Sequence, residues 1–379
     1  MPDISQNAIA ATNGTGNAIE LTSASNTCTA NITNFPHRNL LINGAMQIAQ
    51  RGSALAAGTG MKCIDRWQLY GSGSAAISQG QSDVAPDGFT SSFHVDVTTA
   101  ANVGSGEYLV LQQKIEAQNL QHILNGESGA KKLTLSFWVR SSKTGNHAVG
   151  LLKPDNTARQ NTKTYSVSVA DTWEKKTITF DGDTTGGGIA NDDGRGLQLD
   201  FWLIAGSGYT SVDSTSWVNH ENPAWGYGHA VDLGDNTANN FYLTGVQLEV
   251  SDYATDFEYR SIGEELALCQ RYYETSYDLG TAPGTATYTG CYQCRDGTGS
   301  TVIRYYPVWY AVNKRYSATH AFYRPTTGAT GVLIDANANG ALHSSPGDRG
   351  FMAYSNDTGG NLSHYGISFH WTADAEIGS

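Results

Sequence analysis

The sequence is short of charge, of cations in particular, and of cysteine. Asp, Glu, Lys and Arg make up 15% of the 379 residues, against about 25% in an ordinary soluble domain. The 23 Lys and Arg stand against 35 Asp and Glu, a net charge of −12. Such a surface has no general attraction for a polyanion, which excludes nucleic acid as an expected partner. Five cysteines (Cys28, Cys63, Cys269, Cys291, Cys294) are an odd number, thinly spread. That is not the disulfide framework of a secreted scaffold, and thiols formed in a reducing cytoplasm are expected. No run approaches the ~18 consecutive apolar residues of a membrane-spanning helix, so no membrane insertion is expected. Met1-Pro2-Asp3-Ile4-Ser5-Gln6 carries neither the basic start nor the apolar stretch of a signal peptide. A role outside the cell is then expected to follow assembly in the cytoplasm and release by lysis.

Catalytic signatures are missing too. There is no Gly-x-Ser-x-Gly elbow, no His-Glu-x-x-His and no phosphate loop. Two carboxylates could hydrolyse a glycosidic bond, but no pair among the many Asp and Glu stands out. The protein is not expected to be an enzyme. Cys291-Tyr292-Gln293-Cys294 has half the spacing of a zinc site without a second pair to complete four ligands.

Glycine, by contrast, is plentiful at 43 residues, and many Gly with few charges favour turn-rich β structure. In Lys132-Leu133-Thr134-Leu135-Ser136-Phe137-Trp138-Val139-Arg140 the odd positions are apolar and the even ones, Trp138 excepted, polar. That is the period of a half-buried strand. Phe93 to Val97, Trp173 to Phe180, Leu197 to Ile204 and Phe241 to Val250 read likewise, separated by Gly, Asp and Asn clusters that set turns. The fold class expected is mostly β, an antiparallel jelly-roll β-sandwich. A short linking helix is expected near 262–275, where Ser261 and Glu264 fit a capping box and Ile262, Leu266, Cys269 and Tyr273 fall on one helical face. After it, 277–379 reads as a smaller C-terminal β domain with Tyr305, Tyr306, Trp309, Tyr310 and Tyr316 crowded into core or intersubunit packing. Residues 1–38 form an extended N-terminal arm with two alternating runs, Ala18 to Thr22 and Cys28 to Thr33, too small to bury a core alone. The arm is either disordered or lends strands to a neighbouring copy or partner. The division expected is therefore 1–38, 39–260, 261–276 and 277–379.

The string Asn39-Leu40-Leu41-Ile42-Asn43-Gly44-Ala45-Met46-Gln47-Ile48-Ala49-Gln50-Arg51-Gly52, with Asp65-Arg66-Trp67 after it, resembles the opening of a family of bacteriophage virion proteins, chiefly tail fibres and receptor-binding proteins. Leu133 to Val139, Gly245 to Val250, Phe257 to Ser261, Glu264 to Tyr273 and the ending Phe369 to Ile377 resemble the same family. The resemblance implies a non-enzymatic virion component, assembled as a homotrimer, with a central sandwich similar to carbohydrate-binding modules. It implies partnership with other tail or capsid proteins, through the arm, and with host cell-surface polysaccharide. A head fibre or decoration protein and a glycan-depolymerising tailspike stand as alternatives. Many tail fibres carry a longer stem before this region, which leaves attachment to the arm or to an adaptor.

Two segments are candidate sites. The loop from Trp217 to His229 gathers aromatics with amide and acid groups, and Trp217, Asn219, Trp225 and Tyr227 are the candidate glycan-binding residues. Aromatic faces stack on the apolar faces of sugars while amides bond hydroxyls. The alternative is a structural loop or trimer contact. Asp181 and Asp183, with Asp192 and Asp193, offer oxygens to calcium; a solvated acidic turn is the alternative, and no other cofactor is expected.

Overall fold

The computed structural model describes residues 9–10, 17–22, 27–30, 37–294, 304–330, 342–355 and 367–378. The chain divides into two compact units, Met1–Arg38 and Asn39–Ser379. In the first, Ala18 to Thr22 and the described part of the second run, Cys28 to Ala30, lie in strands that pair with one another. β1 (Ile9–Ala10), β2 (Asn17–Thr22) and β3 (Thr27–Ala30) form one antiparallel sheet in that order.

The second unit begins with a sandwich. Its strands are β4 (Ala56–Ala57), β5 (Gln68–Ser72), β6 (Ala76–Ser82), β7 (Ser92–Thr99), β8 (Tyr108–Glu116), β9 (Leu133–Ser141), β10 (Gly145–Lys153), β11 (Arg159–Val167), β12 (Glu174–Phe180), β13 (Arg195–Ala205), β14 (Val218–Asn219) and β15 (Asn240–Val250). One six-stranded sheet runs β14-β11-β10-β13-β8-β5, the other β12-β9-β15-β7-β6-β4, with antiparallel pairing throughout. The expected alternation is seen in β9, where Leu133, Leu135, Phe137 and Val139 enter the core. Phe137 bridges to the facing sheet, meeting Phe201 and Tyr165 edge-on with ring centroids 4.9 and 5.0 Å apart. Each such side chain, fully buried, contributes about 1.5–3 kcal/mol.

Two short helices follow the chain: α1 (Asn222–Trp225) roofs part of the first sheet, and α2 (Ile262–Gln270) links to the C-terminal strands. Ser261 caps α2, its Oγ accepting the Glu264 backbone N–H at 3.2 Å. The apolar face read from the sequence is only partly used. Cys269 is buried and Leu266 half-buried, but Ile262 is exposed and Tyr273 lies beyond the helix. Glu265 turns inward instead, accepting the Asn43 N–H and pairing with Arg260 at 3.4 Å.

Beyond it come β16 (Tyr273–Thr275), β17 (Tyr292–Cys294), β18 (Arg304–Trp309), β19 (Thr319–Tyr323), β20 (Leu342–Pro346), β21 (Gly350–Ser355) and β22 (Ile367–Asp374). β22 pairs with β16, β17 and β19, while β18, β21 and β20 make a separate sheet. Tyr306, Tyr310, Phe322, Phe351, Phe369 and Trp371 build a shared core. The crowded aromatics thus divide by strand parity: Tyr306 and Tyr310 point in, whereas Tyr305 and Trp309 are 61% and 74% exposed, and Tyr316 is exposed as well.

The segments that resemble phage proteins meet in the interior. Asn39 accepts the Leu248 N–H through Oδ1 and donates to the Val246 carbonyl, and Val246 N–H donates to the Gly44 carbonyl at 2.9 Å. A Cβ at Gly44 would lie 2.1 Å from the Val246 oxygen. Gly245 has φ +60° beside a bulge in β15, and a side chain there would strike the Phe89 ring. From the same region Arg66, Glu116, Arg271 and Tyr272 tie the sandwich to the C-terminal strands. Glu116, fully buried, accepts from Arg271 Nε and Nη2 at 2.9 and 2.6 Å and from the Tyr272 hydroxyl at 2.7 Å.

Candidate functional site

Strand parity decides which side chains the first sheet turns away from the core. Leu111, Ile115, Leu197, Leu199, Phe201, Val149 and Leu151 face inward, so their neighbours Gln112, Lys114, Gln198, Asp200, Trp202 and Leu152 line the outer face. The register sets them in rows. Lys114 stands opposite Gln198, and Gln198 opposite Leu152; Gln68, Gln112 and Asp200 form the next row, and Tyr70 and Trp202 flank Val110 in the third. Gln112 Nε2 donates to Gln68 Oε1 at 2.9 Å.

The segment between β13 and β15 folds back over one end of this face. Trp225, on α1, meets Trp202 edge-on with centroids 5.1 Å apart at 85°, and lies 5.4 Å from Tyr108. Its backbone carbonyl accepts from Thr162 Oγ at 2.9 Å, and its indole N–H donates to Asp200 Oδ2 at 2.9 Å. Ser214 Oγ fixes the preceding turn by donating to the Ala224 carbonyl. The ring is thereby held in one orientation.

The uncovered remainder is a groove of about 750 Å³. Its floor is Gln112, Lys114, Gln198 and Leu152, with Tyr70 and Tyr108 at one end. One wall is His220, Asn222 and Trp225; the other is Arg195, Arg315 and the turn at Ile377 and Gly378. Burial shapes its titratable groups. Asp200 is raised to about 6 because it is shut away from water, although Trp225, Gln198 and two nearby cations pull in the other direction. Lys114 is lowered to about 8 by burial. His220, bonded to Gln160, is also lowered by burial. A second cleft of about 470 Å³ opens at the sandwich edge near β4, β5 and β6, lined largely by Gly, Ala and Ser. Its carboxylates are already engaged, Glu107 by Ser74 and the Gly104 N–H, Asp232 by the Val103 and Gly234 N–H groups.

Of the four loop residues named from the sequence, Trp225 lines the groove. Trp217 packs at the margin of the sandwich core and donates Nε1–H to the Asp181 carbonyl at 2.6 Å. Asn219 accepts from Arg159 Nη1, and the same guanidinium donates to the Trp217 carbonyl. These two therefore share a site built around Arg159, away from the groove lining. Tyr227 is half-buried and does not line the groove.

The four carboxylates read as calcium ligands do not converge. Asp183 is buried against Arg159 at 2.9 Å, Asp181 pairs with Lys132 at 3.0 Å, Asp192 accepts the Gly194 N–H, and Asp193 lies 3.8 Å from Arg315. Each has a separate partner. Among the described residues no three His, Cys, Asp or Glu side chains gather to hold a metal ion. Cys63, Cys269 and Cys291 are free thiols, and burial raises Cys63 to about 11; the Cys294 side chain lies outside the described residues.

No family model matches the chain, and no curated protein matches it. Solved structures do. One is the enzymatically active domain of tailspike protein 4 of bacteriophage CBA120, at 15% identity over 57% of this chain, with a TM-score of 0.31. The match spans 22% of that tailspike chain. A second is the family 11 carbohydrate-binding module of a cellulosomal cellulase of Clostridium thermocellum, at 13% identity over 52% of this chain and 96% of the module, TM-score 0.27. A third, also from Clostridium thermocellum, is a xylanase carrying a carbohydrate-binding module, at 11% identity over 58% of this chain and 30% of that one, TM-score 0.29.

Proposed function

We propose that this protein is a non-catalytic, glycan-binding component of a phage particle, a tail fibre that works as a homotrimer and holds host-surface polysaccharide in the groove. The observation that carries the reading is the make-up of that groove. Tyr70, Tyr108 and Trp225 offer rings beside the amides of Gln112, Gln198 and Asn222, the pairing of apolar faces with hydroxyl-bonding groups that sugars require. Tyr70 is 45% exposed, its ring tilted against Tyr108 at 6.0 Å, while Trp225 is fixed by Asp200. The particle, the trimer and the tail position rest on the resemblance of residues 39–52, 65–67 and the later segments to phage virion proteins. Three weak sites held in fixed geometry would raise avidity well above that of one, without any new contact.

The test is binding of the purified oligomer to host cells and to their extracted surface polysaccharide, with oligosaccharide release followed in the same tubes. Saturable binding without release, weakened by Tyr70→Ala, is the expected result. Released oligosaccharides would make the protein a depolymerase instead. No binding by a fully assembled oligomer would leave a structural or decorating role in the particle.

A further inference from the structure

Cations are scarce in this chain, and those that the fold buries are nearly all matched to carboxylates. Arg51 pairs with Asp65, Arg66 with Glu376, Arg159 with Asp183, Arg260 with Glu265, Arg271 with Glu116 and Lys314 with Glu274. Two places break this pattern: Lys153, fully buried outside the groove, donates only to the Gly186 and Gly187 carbonyls, and the groove gathers the others. Lys114, 8% exposed, donates Nζ–H to the Gly378 carbonyl at 2.6 Å. Arg195 donates Nη1–H to Gln198 Oε1 at 2.7 Å. Among the described residues neither has a carboxylate within ion-pair distance. Arg315, on the same wall, spends its guanidinium on the Asp193, Ala375 and Glu376 carbonyls. Against these three cations the described lining carries no acidic side chain; Asp200, beneath it on the sheet, is fully buried and occupied by Trp225 and Gln198.

Building on the reading of the groove as a glycan site, we infer that its ligand is an anionic glycan whose acid groups are received by Lys114 and Arg195. A buried ammonium answered only by a neutral carbonyl lacks counter-charge. Burial lowers its titration, with Arg195 adding to the fall and Asp200 and Glu376 opposing it, and an anion brought into the groove would raise it. Arg195 can take a carboxylate or phosphate through two N–H groups. In a chain with a net charge of −12, this positive groove would favour the acid-bearing stretch of a polysaccharide over the rest of the molecular surface.

The experiment uses the full chain and three matched oligosaccharide probes: a uronate-bearing one, the same oligosaccharide after carboxyl reduction, and a phosphate-bearing one. Titrations at ~50 and ~500 mM NaCl separate charge from stacking. A preference of about tenfold for an acidic probe over the reduced one, fading at high salt, is expected. Arg195→Gln should lower that ratio, and Arg195→Lys should lower it less, keeping the charge but losing the paired N–H groups. The uronate and phosphate arms show which acid is preferred. Equal, salt-insensitive affinity for uronate-bearing and reduced probes, with Tyr70→Ala still weakening both, would overturn the charge assignment while leaving the glycan groove intact. Binding unaffected by Tyr70→Ala, or none to any probe, would overturn the groove itself.

Discussion

Arg66 and Glu376, 310 residues apart in sequence, form a buried ion pair that joins the sandwich to the end of the chain. The Arg66 guanidinium also lies 3.5 Å over the Tyr272 ring and donates to the Lys114 carbonyl at 2.6 Å. Removing one partner of such a pair strands a charge in the interior. Glu376→Ala should therefore destabilise the second unit by ~3–5 kcal/mol, read as a lower urea midpoint. A loss under about 1 kcal/mol, the range of a surface pair, would show that water reaches the guanidinium.

Glu116 gives a second test of the same junction. It serves both Arg271 and Tyr272, so Glu116→Gln should cost ~1–3 kcal/mol by weakening the bond to Arg271. Arg271→Met should cost more, because it strands the fully buried Glu116 carboxylate, whereas Arg271, 30% exposed, can be hydrated when Glu116 is made neutral. Equal losses in the two variants would be the contrary result.

Trp225 couples stability to the groove. Trp225→Phe keeps a ring against Trp202 but removes the N–H from Asp200, leaving a buried carboxylate one donor short at ~1–3 kcal/mol. Trp225→Ala opens the roof as well and should cost ~3–5 kcal/mol. Glycan titration should then show Phe weakened and Ala without measurable binding. Unchanged binding by Trp225→Ala would remove the ring from the site.

Acid should unfold the sandwich through two histidines. His147 stacks on Tyr165 at 5.4 Å, and His229 Nδ1 accepts the Ala148 N–H, which requires a neutral ring. Burial lowers them to about 4 and about 3, from 6.5 in an open chain. The unfolded chain thus binds protons first. The stability these rings contribute is fully present above pH 6.5 and is lost as pH falls toward 4. Asp65 and Asp200, raised by burial to about 7 and about 6, act in the opposite direction over that range. The histidine contribution is therefore read as the difference in urea midpoint between the protein and His147→Phe, which should move in the variant's favour as pH falls. An identical slope in the variant would place the acid sensitivity elsewhere.

The first unit closes its own small sheet, and the second has a complete core without it. Deleting residues 1–38 should leave the thermal midpoint of the remainder unchanged within ~2 °C, the shift expected of a change well below 1 kcal/mol. If the arm is the attachment element, the shortened protein should fail to enter particles. A large fall in midpoint would contradict the independence of the two units.

How much of this was legible depended on periodicity. Leu133 to Val139 announced β9 because a strand repeats every two residues, and Ser261 announced the start of α2 because a cap is local chemistry. The buried face of α2 differs from the one read: near its start Glu265, held by Asn43 and Arg260, is buried while Ile262 is exposed. The groove residues Tyr108, Gln112, Lys114 and Gln198 look in sequence like any solvent-facing positions. Only the returning loop distinguishes them from other outward residues, and its path is set by Asp200 and Thr162. The same loop has no period, so nothing in its sequence told Trp225 apart from Trp217, which Asp181 holds elsewhere.

The Arg66 pairing also orders events in time. On a ribosome adding about 5–20 residues per second, Glu376 follows Arg66 by roughly 15–60 s. Throughout that interval the sandwich carries a cation whose interior place is not yet neutralised, and its end must stay open to water. A chain that stops before Glu376 never closes it.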